Sequence, residues 1–250
     1  MDALRLQTWY ATPLGQTSAR LIGEAMDRWL RQNPGNRTLG CGFPQPYLEG
    51  WRSCGGEWFG ASPAEMGVVR WPVGGNNRMA QVRPDALPFS SEYFDRVIMT
   101  HLLEGVYSLR ATLRETWRVL VPGGRVLVVV PNRGGLWARR DVTPFGYGRP
   151  FSPGQLRHAL EESLFLPCQS CYALFIPPFA GQRWLGAAAA WEKAGQRWFA
   201  PLGGVILCEA EKVVYAVPKI DAGNRRAVRA RPVPIPVGNH RSQPDEEQRA

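Results

Sequence analysis

The chain is poor in the residues that build metal centres and covalent staples, and it has no long apolar run. Its 250 residues include 3 histidines and 5 cysteines. An odd number of cysteines at irregular positions does not make a complete disulfide framework and fits reduced thiols. Cys168 and Cys171 are the one close pair. With no second pair and no histidine at ligand spacing, a zinc ion would lack its usual four protein ligands. No stretch reaches the roughly 20 apolar residues of a membrane span. The start, Met1 to Tyr10, has no basic segment followed by an apolar run, so the expectation is a cytoplasmic protein. Lysine is nearly missing too, with 27 arginines against 3 lysines, a bias that genome composition alone can produce.

What is present is enough apolar material for a large core. Hydrophobic residues make up 44% of the chain, and a chain of this length buries most of its apolar surface without staples. The formal charge of +9 raises the question of nucleic acid, which turns on where the charge sits. From Lys219 to the end the net charge is +3, and from Pro131 to Pro150 it is again +3. No zinc finger, basic helix or aromatic RNA-binding motif accompanies either cluster.

The pattern along the chain alternates helix and strand. Leu21, Ile22, Ala25, Met26, Trp29 and Leu30 recur at helical spacing, which predicts a helix over 16–32 that stops at Asn33-Pro34-Gly35. A strand at 37–39 leads into Gly40-Cys41-Gly42, and a helix from Pro44 to about Cys54 follows. Further strands are expected at 57–61, 78–82, 93–100 and 125–130, with Ser62-Pro63 starting a helix and 106–121 forming another. A long loop covers 131–151, then come a helix at 152–164, a strand around 171–176 and a helical insert at 182–199. The last strand, 204–217, is expected as an antiparallel edge strand. This order predicts an α/β fold with a doubly wound, mostly parallel seven-stranded sheet and a helical insert before the last strand. Residues 1–218 form the main domain, and 219–250, rich in Pro and Arg, read as a disordered basic tail.

Ligands of such sheets bind at the carboxyl ends of the strands where the strand order reverses. Gly40 and Gly42 let the backbone approach a ligand closely, and the next helix offers free N–H groups. The loop 131–151 leaves a strand at that same end and is long enough to be a lid. Its arginines suit a carboxylate or phosphate. Trp184, Trp191 and Trp198, spaced by seven, predict a helix face packed on its own domain, with a protein partner or a membrane surface as alternatives.

Several segments together resemble the class I S-adenosylmethionine-dependent methyltransferases. Leu39-Gly40-Cys41-Gly42 is similar to their cofactor turn, Phe59-Gly60-Ala61-Ser62-Pro63 to their second-strand exit, and Asp85-Ala86-Leu87-Pro88-Phe89 to the loop that frames the adenine. Phe94-Asp95-Arg96-Val97-Ile98 looks like their fourth strand, and Arg118 through Arg125 like the helix, turn and strand after it. The resemblance covers 37–130 and implies a Rossmann-like methyltransferase fold with S-adenosylmethionine as cofactor. It places Gly40, Cys41, Gly42, Ser62, Asp85, Ala86 and Leu87 at the cofactor. His101, just after the fourth strand, falls where a methyl acceptor would approach, and a neutral imidazole there suits proton removal. Asn132, Arg133, Phe145, Tyr147 and Arg149 are the expected substrate contacts from the lid.

Three positions depart from the family pattern. Thr38 and Gly60 stand where acidic residues are usual, and the third glycine of the turn is missing around Pro44-Gln45. The implied function is methyl transfer to a small or medium-sized acceptor. An inactive, methyltransferase-like binding or assembly protein is the alternative that the departures leave open. RNA modification is a third reading, carried by the basic loop and tail.

Overall fold

The computed structural model describes residues 1–32, 35–51, 55–72, 74–179 and 181–214, and the expected tail at 219–250 lies outside them. Seven strands, β1 (Arg37–Gly42), β2 (Glu57–Pro63), β3 (Met79–Val82), β4 (Phe94–Thr100), β5 (Leu120–Pro131), β6 (Phe165–Ala173) and β7 (Val205–Lys212), form one sheet. Its order is β3-β2-β1-β4-β5-β7-β6. The first five strands are parallel, and β7 runs antiparallel to both β5 and β6. The last strand is therefore not the expected edge strand: it lies between two others. Val205, Ile206, Leu207 and Cys208 are all buried, as a strand with partners on both sides and covered faces requires.

Period-two alternation divides the core into two layers. Leu39, Val97, Met99, Val126, Val128 and Ile206 face one cluster, which the helices α4 (Leu109–Val119) and α5 (Pro153–Glu162) close with Leu113, Leu156 and Leu160. Ile98, Leu127, Val129, Val205 and Leu207 face the other, closed by α2 (Pro13–Gln32) and α3 (Gln45–Trp51) through Leu21, Ile22, Met26 and Leu48. Fully burying each such side chain contributes about 1.5–3 kcal/mol, so both faces must stay covered. Among the described residues no helix is long and apolar enough to cross a membrane.

Local chemistry explains where the elements differ from expectation. α2 begins at Pro13 because the Thr12 hydroxyl accepts from the Gly15 N–H and Pro suits the first helical position. α4 begins only at Leu109, where the Ser108 hydroxyl caps it by accepting from Ala111 N–H. Ser62-Pro63 starts no helix: both residues end β2, and a turn follows in which Met66 and Gly67 N–H groups donate to the Pro63 carbonyl. An unexpected helix, α1 (Ala3–Tyr10), is capped by Asp2 and buries Ala3, Leu6 and Tyr10.

The insert holds α6 (Gln182–Gly186) and α7 (Ala188–Trp198). Its tryptophans do not pack inward as expected, since Trp184, Trp191 and Trp198 are all exposed. The buried face of α7 is Ala188, Glu192 and Gly195. The Glu192 carboxylate turns in to accept from the Leu174 and Phe175 N–H groups, and a Cβ at Gly195 would collide with the Phe175 ring. Close approach by small residues and a committed carboxylate leaves the large rings no place beneath the helix.

Candidate active site

The sheet order reverses between β1 and β4, and the carboxyl ends of these two strands are tied together. The Phe43 N–H donates to the Thr100 carbonyl at 2.9 Å. Gly42 has φ of 91°, and a Cβ there would overlap the Thr100 carbonyl oxygen. A Cβ at Gly40 would meet the Pro44 ring at 2.8 Å. Both glycines are thus required by the chain's own packing. Above them Phe43 packs with Ala3, Leu6 and Tyr10 of α1, so an N-terminal helix covers the glycine turn.

His101 follows β4 with φ of 52°, a left-handed conformation in which histidine is enriched among non-glycine residues. This turn aims the imidazole inward, where it is 8% exposed. Its Nε2 shares a 2.7 Å hydrogen bond with the Tyr10 hydroxyl, which shares a 2.9 Å bond with the Tyr47 hydroxyl. On the other side Nδ1 lies 3.5 Å from Glu104 Oε1. The neutral tautomer that suits both neighbours carries its proton on Nδ1 and accepts at Nε2. Burial pushes the Tyr10 and Tyr47 phenols up, so both stay protonated. The ring of Phe145 covers His101 at 5.1 Å.

Two cavities meet this chain of side chains. The first, about 410 Å³, opens at the ends of β2, β3 and β4 and is lined by Pro63, Glu65, Arg83, Asp85, His101 and Ser108 among others. The second, about 460 Å³, lies between α2 and α3 and is lined by Tyr10, Tyr47, Gln16, Arg20, Glu24 and Asp27 among others. His101 belongs to the first cavity and its tyrosine partners to the second.

Of the expected cofactor contacts, the structure brings Asp85 to the first cavity beside His101. Asp85 is paired with Arg83 at 3.0 Å, and that hydrogen-bonded guanidinium holds its carboxyl below the usual range. The Ala86 N–H donates to the Arg83 carbonyl, the Leu87 N–H to Glu115, and the Ser62 hydroxyl to the Gly67 carbonyl. Cys41 is buried in the core, which pushes its thiol up to about 12. None of the five lid residues lines either cavity. Asn132 is committed to the scaffold, donating to the Pro201 and Gly203 carbonyls, and Phe145 is buried, while Arg133, Tyr147 and Arg149 are exposed.

The departures from the family pattern fall away from the cavity rim. Thr38 is buried near the amino end of β1, and a Cβ at Gly60, mid-strand in β2, would run into the Met79 side chain. The acidic residue that follows the end of β2 and reaches the cavity is Glu65. Tyr10, Tyr47 and Glu65 were missed in the sequence. The stripe Ala3, Leu6, Tyr10 at spacings of three and four was the available signal for the first of them.

The loop carrying Asp85 is held by a clamp on α4. Arg118 donates to the Leu87 and Phe89 carbonyls and to Glu115, whose Oε1 accepts from the Leu87 N–H at 2.7 Å. The Arg118 hydrogen bond, the largest cause, lowers the Glu115 carboxyl below its usual value. A depressed folded value means that the contribution is complete above the ordinary carboxyl value of about 4.3 and is lost as pH falls through the folded one. Arg118→Ala is expected to cost about 2–3 kcal/mol by stranding two carbonyls and the carboxylate. Urea midpoints measured from pH 7 downward check this, and the gap between wild type and variant should narrow below pH about 4.

The architecture defines a Rossmann-like α/β domain whose strand order reverses between β1 and β4, beside the first cavity. Residues 39–128 match a family described as a methyltransferase domain. Over 68 residues the chain is 41% identical to the ubiquinone/menaquinone biosynthesis C-methyltransferase UbiE of Edwardsiella ictaluri, 27% of this chain and 25% of that one. The chain thus spans about a quarter of the length of the curated relatives it matches. The fold matches an S-adenosylmethionine-dependent methyltransferase from Thermotoga maritima with a TM-score of 0.60 at 17% identity, covering 82% of this chain and 94% of the other. A Mesorhizobium loti enzyme of the same description matches with a TM-score of 0.55 at 16% identity, covering 76% and 96%. Residues 39–128 are thus similar to a methyltransferase domain, and the fold around them is that of the Rossmann-like S-adenosylmethionine-dependent methyltransferases.

Proposed function

We propose that the protein is an S-adenosylmethionine-dependent methyltransferase that acts, in the cytoplasm, on a small or medium-sized acceptor carrying a hydroxyl or amine. The observation that carries this reading is the buried Glu104-His101-Tyr10 chain at the edge of the switch-point cavity. When bound, S-adenosylmethionine supplies an electrophilic methyl group on a sulfonium. Glu65 and Asp85 offer carboxylates to ribose hydroxyls and an adenine amino group, and Ser108 and the apolar walls of Pro63 and Leu102 complete the nucleoside half of the site. The residues present fit that half. The space above the glycine turn is filled by Phe43 and Tyr10, so α1 shifts when the full cofactor enters.

Tyr10 occupies the one lone pair that His101 has to offer. An acceptor hydroxyl or amine that takes the place of the Tyr10 hydroxyl would meet Nε2 ready to receive its proton, with Glu104 stabilising the imidazolium that results. Phe145 over the ring excludes water from this exchange. A second reading, a binding or assembly protein without turnover, draws on the same filled space over Gly40 and Gly42.

Calorimetric titration with S-adenosylmethionine and S-adenosylhomocysteine separates the two. The expected result is micromolar binding, tightened in Tyr10→Ala, where the cover over the glycine turn is weakened. Absence of binding at millimolar ligand in both wild type and variant would overturn methyl transfer and leave the non-catalytic reading.

A further inference from the structure

The insert and the lid loop leave the sheet at the same edge as the site. Pro131, the end of β5, pairs with Val205, the start of β7, and Val205 also pairs with Ala173, the end of β6. Residues 132–151 and 174–204 therefore both rise from the carboxyl ends of the parallel strands. Lid and insert touch: the Arg140 guanidinium lies 5.2 Å over the Phe179 ring, and the Asn132 amide donates to Pro201 and Gly203.

This surface has an unusual composition for a solvated one. Phe179, Trp184, Trp198, Phe199 and Leu202 are exposed, Trp198 at 72% and Phe179 at 65%. Trp184 and Trp191 lie ring to ring at 5.4 Å, and the Arg197 guanidinium covers Trp198. Among the described residues of 132–151 and 174–204 the exposed cations are Arg133, Arg139, Arg140, Arg149, Lys193 and Arg197, and the only exposed acid is Asp141. The insert's own carboxylate, Glu192, is buried and committed to two backbone N–H groups.

We propose that this face docks on an anionic lipid surface. Aromatic rings with an apolar body settle at the headgroup boundary, and arginine and lysine beside them meet lipid phosphates. A protein-docking patch concentrates its anchors in a desolvated centre ringed by polar groups. Here the rings are spread along the loop before α6, through α6 and α7 and just beyond them, interleaved with cations, and the one exposed carboxylate of the face, Asp141, lies in the lid. That pattern suits a planar, negatively charged, apolar-cored partner. The consequence for substrate rests on the methyl-transfer reading: docking by this edge brings the site to the bilayer, so the acceptor is a molecule that partitions into lipid.

The test is co-sedimentation of the full chain with phosphatidylcholine vesicles, with and without about 30% phosphatidylglycerol. The wild type is expected to sediment with the anionic vesicles and to be released as salt rises. Trp198→Ser with Phe199→Ser should weaken this at least about tenfold, and Arg140→Glu with Arg197→Glu should weaken it in the anionic vesicles alone. All four side chains are exposed, so folding is expected to be intact, and circular dichroism checks it. No sedimentation, or sedimentation that the variants leave unchanged because another segment drives it, would overturn the proposal. So would a wild-type dimer that the aromatic variant dissolves into monomers, which would assign the face to a second copy. Cofactor titration of the same variants should be unchanged, so failure of docking and failure of methyl transfer read out separately.

Discussion

Replacing Gly42 by valine is expected to destabilise the domain by about 4 kcal/mol, whatever it does to a ligand. Gly42 holds φ of 91°, where a β-branched residue is strained, and its missing Cβ leaves room for the Thr100 carbonyl of the neighbouring strand. Strain of about 1–3 kcal/mol adds to overpacking of similar size, for a total of about 4 kcal/mol. The side chain would also push apart the link in which Phe43 donates to Thr100, the contact that sets β1 against β4 at the switch point. The measurement is the urea midpoint by circular dichroism, and a midpoint within error of wild type would show that the turn relaxes easily. Glu65→Gln makes the contrast. Its side chain lies on the cavity rim, outside the core, so the midpoint should hold while cofactor affinity falls.

The same turn shows what a single sequence reveals and what it hides. Gly40-Cys41-Gly42 was legible as a tight strand exit, and the β-branched run of β5 was legible as a buried strand, because local chemistry alone dictates both. The position of β7 was harder. Its run of Val205, Ile206, Leu207 and Cys208 was read as part of an antiparallel edge strand, because which strands flank it depends on pairing partners that no periodicity encodes. The tryptophans of the insert illustrate the opposite failure. Trp184 and Trp191 do come together, across the junction of α6 and α7, yet whether the rings point inward was decided by Glu192 and Gly195 finding partners at Leu174 and Phe175. His101 was legible by its place after β4. The Tyr10 hydroxyl that holds it is 91 residues away in sequence, on a helix whose apolar stripe is only three residues long, so their meeting is a tertiary event.

The meeting of His101 and Tyr10 yields the sharpest expectation about chemistry. Alanine at position 101 would confound loss of a base with strain at φ of 52°, whereas asparagine accepts the left-handed conformation and keeps a polar side chain toward Tyr10. His101→Asn should therefore fold and bind cofactor within a few-fold of wild type. With any acceptor that the wild type methylates, turnover followed as S-adenosylhomocysteine release should fall about 10²–10⁴-fold, the usual contribution of a positioned base. Tyr10→Phe tests what the tyrosine does. If Tyr10 only holds the place of the acceptor, the variant leaves Nε2 free, α1 keeps its apolar contacts, and turnover stays within about tenfold, or about 1.4 kcal/mol. A loss as deep as that of His101→Asn would instead make the Tyr10 hydroxyl part of the proton path. Full activity in His101→Asn would remove the imidazole from the mechanism and leave an acceptor that needs no base, such as a thiolate or an activated carbon.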